Sequence, residues 1–137
     1  MFNVFCHCKA CTRACGMSPV HLIGLPGDTF QITQGEESVQ VVDGLGNMTH
    51  AKCTSCGVGI YQCPKGASFR AVFPTNFHIE EQDSRSSCLL PPELLPTSHF
   101  NYENRQYDWS DSLPKFKAFP PEGRLENNGE PSSSPES

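Results

Sequence analysis

The chain has 137 residues, 36% of them hydrophobic, and its formal net charge is −5. This length is typical of one domain, and an acidic chain without a basic cluster argues against direct nucleic-acid binding. Because there is no run of about 18 apolar residues and no basic-then-apolar leader, we expect neither a membrane span nor a signal peptide.

The predicted elements are short strands separated by turn residues, which indicates a mainly β, antiparallel fold. Lys9 to Cys15 is expected to form a short helical turn that stops at Gly16, because glycine tolerates the left-handed conformation after a helix end. The pair Cys53 and Cys56 is expected in a hairpin-like knuckle. The expected strands lie at residues 1–5, 20–25, 30–33, 39–42, 60–62 and 69–73.

The second half of the chain carries fewer strand signals. Residues 80–87 are polar and predict a loop, and residues 89–96 are apolar but broken by prolines. Residues 99–119 hold six aromatic side chains, which we expect to cover the core from one side. Beyond Pro121 the sequence mixes Glu with Asn, Gly, Pro and Ser, which predicts a disordered tail over residues 122–137 after a domain of residues 1–121.

Two cysteine clusters carry the chemical signal. Cys6, Cys8 and Cys11 follow the spacing C-x-C-x-x-C, and Cys53 and Cys56 follow C-x-x-C. Thiolates at such spacing converge on one point, where Zn²⁺ is the usual occupant. Eight cysteines could instead form disulfides, but bridges within these short motifs would be strained and no secretion signal is present. We therefore expect metal binding in a reducing compartment, cytoplasmic or nuclear.

Two arrangements of the metal remain open on spacing alone. In the first, Cys8 and Cys11 join Cys53 and Cys56 in one four-thiolate, purely structural site. In the second, Cys6, Cys8 and Cys11 hold their own zinc and leave a fourth position open, which is typical of a catalytic site. Three thiolates outweigh Zn²⁺ and make it a weak Lewis acid, so the second arrangement favours thiol transfer or addition over hydrolysis.

The cysteine motifs and a C-terminal block resemble the family of glutathione-dependent formaldehyde-activating enzymes, which includes centromere protein V. The matching residues are Phe5-Cys6-His7-Cys8-Lys9-Ala10-Cys11, Cys15-Gly16, Cys53-Thr54-Ser55-Cys56-Gly57, His99, Trp109, Asp111, Leu113-Pro114 and Lys115-Phe116. The resemblance implies an Mss4-like all-β fold. It also implies a carbon–sulfur lyase that condenses glutathione with formaldehyde to S-(hydroxymethyl)glutathione.

The resemblance also implies roles for the cysteines. Cys6, Cys8 and Cys11 would hold the catalytic zinc, and Cys53 and Cys56 would supply half of a structural zinc site. The other half comes, in the family, from an upstream C-x-C strand that this sequence does not contain. We therefore expect a shortened chain with a weak second site, unless another residue such as Cys63 substitutes.

Other residues have plainer interpretations. The side chain of His7 lies between two ligands and is expected to point away from the metal. Cys15 is expected to pack in the interior, and His21, His50, His78 and His99 to be hydrogen-bonded structural residues. The main alternative to the enzyme is a non-catalytic zinc scaffold that binds protein partners, including an inactive truncated form.

Overall fold

The computed structural model describes residues 1–77, 90–121 and 123–133. His78, the predicted loop at 80–87, and residues 122 and 134–137 of the predicted tail lie outside the described residues. Within these ranges the fold is mainly β, as predicted: one sheet of nine strands and one α-helix. In the same ranges no helix is long and apolar enough to cross a membrane.

The helix, α1, spans Lys9–Cys15. The strands are β1 Phe2–Cys6, β2 Val20–Pro26, β3 Val39–Asp43, β4 Met48–Cys53, β5 Gly59–Pro64, β6 Phe69–Val72, β7 Ser98–Phe100, β8 Lys115–Phe116 and β9 Arg124–Leu125. Short 3₁₀ segments occur at Gly27–Thr29, Glu36–Ser38, Pro74–Asn76, Pro92–Leu94 and Tyr102–Asn104.

The sheet is mixed, with the order β3-β4-β5-β6-β2-β1-β7-β8-β9. Six of the eight pairings among the described strands are antiparallel, but β1 with β7 and β7 with β8 are parallel. The predicted antiparallel pairing therefore holds for six pairs, and the two parallel pairs that involve β7 were not predicted. Because β7 follows a long connection and not a tight hairpin, it can join β1 in the parallel direction.

The main apolar core lies where β1, β2 and β6 meet α1. It consists of the buried side chains Val4, Cys6, Cys11, Val20, Leu22 and Ala71. Along β2, buried residues alternate with half-buried ones from Val20 to Gly24, which is the period of two expected for a strand with one face on the core. Two of the N-terminal cysteines are thus themselves core residues.

Two predictions for the rest of the chain need correction. Residues 30–33 form no strand, because no partner strand pairs with them; Phe30 instead packs edge-on against Tyr61 at 5.1 Å. The predicted tail is not disordered over residues 123–133, since β9 pairs with β8 there and the Tyr102 hydroxyl donates to the Asn127 carbonyl. Short polar residues are held here by backbone bonds that composition does not reveal.

The predicted aromatic cover is only partly formed. Tyr102 and Phe116 are buried, whereas Tyr107 and Phe119 are 64% and 62% exposed. The segment therefore divides its aromatic side chains between the interior and the surface.

Candidate metal centre

Three consecutive local structures position the N-terminal cysteines, which we call the trio: Cys6, Cys8 and Cys11. Cys6 ends β1, Cys8 is the N-cap of α1, and Cys11 lies in the first turn of the helix. Cys8 has extended backbone, and its sulfur accepts the Cys11 N–H at 3.2 Å, as capping side chains do. The helix ends at Gly16, whose φ of 68° is the left-handed conformation that the sequence predicted.

The three sulfurs are close enough to share one ion. All lie within 4.8 Å of one another, with 3.6 Å between the sulfurs of Cys11 and Cys6 and 2.7 Å between those of Cys8 and Cys11. Sulfurs about 2.3 Å from a tetrahedral zinc lie about 3.8 Å apart. The first distance fits that geometry, and the second requires the two sulfurs to separate by about 1 Å. The trio could therefore hold a metal ion.

Hydrogen bonds within the trio divide its protons unequally. Bonds from the Cys11 and Cys8 thiols lower the pKa of Cys6 to about 3. The bond with Cys11 lowers the pKa of Cys8, but the bond to Cys6 and burial outweigh it and raise that pKa to about 11. Bonds to Cys6 and Cys8, together with burial, raise the pKa of Cys11. These shifts favour a thiolate at Cys6 and thiols at Cys8 and Cys11 when no metal is bound.

With these protonation states, the metal-free trio has the same net charge as the trio with a divalent metal bound. One thiolate and two thiols carry a net charge of −1, and a divalent cation on three thiolates also carries −1. A divalent metal can therefore exchange for two protons without changing the charge buried in the core. Because two protons leave, its binding must strengthen as pH rises.

Two side-chain amides, which sequence analysis missed, contact the trio. Gln62 Nε2 lies 3.0 Å from the Cys11 sulfur, and Asn101 Nδ2 lies 3.4 Å from the Cys6 sulfur. No spacing rule could identify them, because they come from β5 and from the residue after β7, 51 and 95 positions from their sulfurs.

A buried polar chain runs from the trio toward the C-terminal block. Nε2 of His7 and Nδ1 of His99 are 2.8 Å apart, and Nε2 of His99 lies 2.8 Å from Asp111 Oδ2. Asp111 Oδ1 in turn accepts from Lys115 Nζ, and Lys115 is 1% exposed. His7 therefore turns toward His99, as expected for a side chain between two ligands.

The pKa values of this chain favour neutral imidazoles beside a charged ion pair. Burial, and then the neighbouring His99, lower the pKa of His7 to about 4, and burial lowers the pKa of His99. Burial alone would raise the pKa of Asp111, but hydrogen bonds from Lys115 and His99 outweigh it and lower that pKa.

A cavity of about 520 Å³ opens onto the trio. Besides the three cysteines, its polar lining side chains within the described ranges are Gln62 and Asn101. The remaining lining residues are Met1, Phe2, Val4, Leu22, Met48, Pro64, Phe69, Ala71, Phe100, Phe119 and Pro120. A small molecule that entered this cavity would meet the sulfurs in largely apolar surroundings.

Cys53 and Cys56 form the predicted knuckle between β4 and β5. The Gly57 N–H donates to the Cys53 carbonyl at 2.9 Å, and Gly57 has a φ of 77°. Amide N–H groups of Cys56 and Ser55 bond to the Cys53 sulfur and lower its pKa. Among the described residues these two sulfurs belong to no group of three metal-ligating side chains. The single four-thiolate site is therefore not what the structure shows.

The remaining cysteines do not complete either cluster. Cys63 is buried, and its sulfur lies 3.6 Å from Arg70 Nη1 and 3.9 Å from Thr49 Oγ1. Cys15 is half-buried at the end of α1, and its thiol pKa is raised by burial. Neither joins a group of three ligands in the part of the chain that the structure describes.

Comparison with known proteins gives one match. The sequence model of the family described as glutathione-dependent formaldehyde-activating enzyme matches residues 1–84, which include both cysteine clusters. No curated protein and no solved structure matches the chain significantly.

Proposed function

The chain belongs to the family of glutathione-dependent formaldehyde-activating enzymes, and on that premise we propose that it is a zinc-dependent carbon–sulfur lyase. Its reaction would be the condensation of glutathione with formaldehyde to S-(hydroxymethyl)glutathione. The observation that carries the proposal is the trio itself: Cys6, Cys8 and Cys11 place three sulfurs within 4.8 Å of one another beside an open cavity. A free thiol trio also requires a reducing compartment, which we propose as its location.

The donor set fits zinc and thiol chemistry. Zinc takes cysteine sulfur in tetrahedral sites, and a site with three protein ligands keeps one position for a substrate. When bound, zinc would hold an incoming thiol in its deprotonated form. His7 is turned toward His99 and is not part of the trio, so it does not complete the ligand set.

The reaction needs little else from the protein. The thiolate sulfur attacks the formaldehyde carbon and forms the C–S bond, while the electron pair of the C=O π bond moves to oxygen. That oxygen takes up the proton that the thiol gave up, so atoms and charge balance. The cavity beside the trio would confine the two reactants and exclude water, which raises their effective concentration.

The experiment measures metal content and thiol addition in one preparation. Protein loaded with zinc should consume free glutathione only when formaldehyde is present, faster than the uncatalysed background. Cys8→Ser should lose both zinc and rate. Cys15→Ser should keep both, because Cys15 lies outside the trio. A preparation with one zinc per chain and no rate above background would overturn the enzyme and support the scaffold.

A further inference from the structure

Each sulfur of the trio receives an N–H bond from a neutral donor, and the Cys6 sulfur receives a second one from the Cys8 backbone. The Cys11 backbone N–H donates to Cys8, the Gln62 amide to Cys11, and the Asn101 amide to Cys6. The distances are 3.2, 3.0 and 3.4 Å in that order. Two of these donors, the amides of Gln62 and Asn101, come from parts of the chain that are distant in sequence.

Gln62 makes a second contact that suits the orientation in which its NH₂ group faces Cys11. Its Oε1 lies 3.1 Å from Nδ1 of His50, so the imidazole donates to the oxygen and the amide NH₂ group faces the sulfur. Gln62 is 1% exposed and His50 is 5% exposed. The His50 ring is itself confined by Gly44, where a Cβ would lie 2.2 Å from Nε2. A rotation of the amide would place an oxygen against the Cys11 sulfur and turn the NH₂ group toward His50.

The backbone of Asn101 has an uncommon conformation that orients its side-chain amide. Its φ of 56° is the only positive value among non-glycine residues in the described ranges. Asparagine tolerates this conformation better than most residues, but it still carries strain. The residue directly follows β7, and its N–H donates to the Ala118 carbonyl at 2.7 Å. The left-handed turn directs the side-chain amide back toward Cys6.

We propose that Gln62 and Asn101 are positioning residues of the metal centre, which donate N–H bonds to two metal-binding sulfurs and set the strength of metal binding. The proposal rests on the proposed function only in assigning the metal to the trio. Three thiolates on a divalent cation carry excess negative charge, and each N–H bond withdraws part of it. Loss of such an outer contact typically weakens metal binding about 10- to 100-fold.

The test uses Co²⁺, a spectroscopic substitute for zinc, with neither glutathione nor formaldehyde present. Gln62→Met keeps the length of the side chain and removes the donor, so Co²⁺ affinity should fall about 10-fold or more. The sulfur-to-cobalt absorption band should move to longer wavelength, because a sulfur without its N–H bond holds its electrons less tightly. The matched control is Gln40→Met, an exposed position on β3.

Asn101 provides a second test, independent of whether the Gln62 variant folds. Asn101→Gly keeps the left-handed backbone without strain and removes only the amide. It should weaken Co²⁺ binding and shift the band while leaving thermal stability nearly unchanged. Asn101→Ala should produce the same shift and also lose stability, because alanine is strained at positive φ.

The outcomes separate the two proposals. If the wild-type protein binds Co²⁺ and the variants show the control's affinity and spectrum, the positioning role is wrong and the proposed function stands. If the wild-type protein binds no Co²⁺ at all, both are wrong. A glutathione assay that fails despite the expected cobalt shifts would overturn the enzyme and leave the positioning role intact.

Discussion

The molecule contains the C-x-x-C spacing twice, and among the described residues only one copy belongs to a group of sulfurs that could hold a metal ion. Cys8 and Cys11 stand at the start of a helix whose inner face joins the core, and the strand before them adds Cys6. Cys53 and Cys56 stand at a hairpin tip where Cys56 is exposed and no third described ligand approaches. The comparison teaches that the motif fixes only local geometry, and that a site also needs neighbouring elements to supply ligands and donors.

The largest difference between the two clusters should appear in metal binding. Cys11→Ser removes one of three converging sulfurs, so the affinity for Zn²⁺ should fall at least about 100-fold, more than the loss of an outer contact. Cys56→Ser should leave the trio's affinity within about twofold, because its sulfur lies outside the trio. The measurement is competition with a chromogenic zinc chelator. An equal loss of Zn²⁺ affinity in both variants would mean that the two cysteine clusters bind one shared ion.

The next difference is the buried polar chain behind the trio, which has no counterpart at the hairpin. Asp111→Asn leaves the Lys115 ammonium, 1% exposed, without its charge partner. Because the Asp111 side chain is 29% exposed, we expect a loss of about 2 kcal/mol in the free energy of unfolding, below the value for a fully buried pair. Asp108→Asn is the control, since Asp108 is 57% exposed and its pair should contribute under about 1 kcal/mol.

The pH dependence of this effect has a definite sign. The folded-state pKa of Asp111 is lowered, so its contribution is complete above the unfolded value of about 4 and is lost as pH falls through the folded value. In urea denaturation, the difference in free energy of unfolding between the wild-type protein and Asp111→Asn should therefore be constant between pH 5 and pH 7. In stronger acid this difference should disappear. A difference that widens on acidification would contradict the ion pair.

Sequence reasoning succeeded where the structure is local. The helical turn, its end at Gly16 and the approach of Cys6 to Cys8 and Cys11 all follow from contacts within eleven residues of chain. It failed where partners are distant: Gln62, Asn101 and the chain through His99 to Asp111 depend on which strands are neighbours. The parallel pairing of β7 with β1 places His99 and Asn101 beside the segment that carries the trio, and no periodicity in the sequence specifies that pairing.

The smallest effects on stability and metal binding are expected at the two glycines that follow the cysteine clusters, Gly16 at the end of α1 and Gly57 after Cys56. Gly16 and Gly57 have φ values of 68° and 77°, and a Cβ at either position would meet no atom within 4 Å. Alanine at Gly16 should therefore cost about 1 kcal/mol from backbone strain alone, and it should weaken Co²⁺ binding slightly because α1 carries Cys11. At Gly57 the hairpin tip can rearrange into solvent, so the cost in urea denaturation should be smaller and cobalt affinity unchanged. An equal or larger loss of stability at Gly57 would show that the hairpin of Cys53 and Cys56 is as rigid as the helix that carries Cys11. The main contrast between the two cysteine clusters would then be lost.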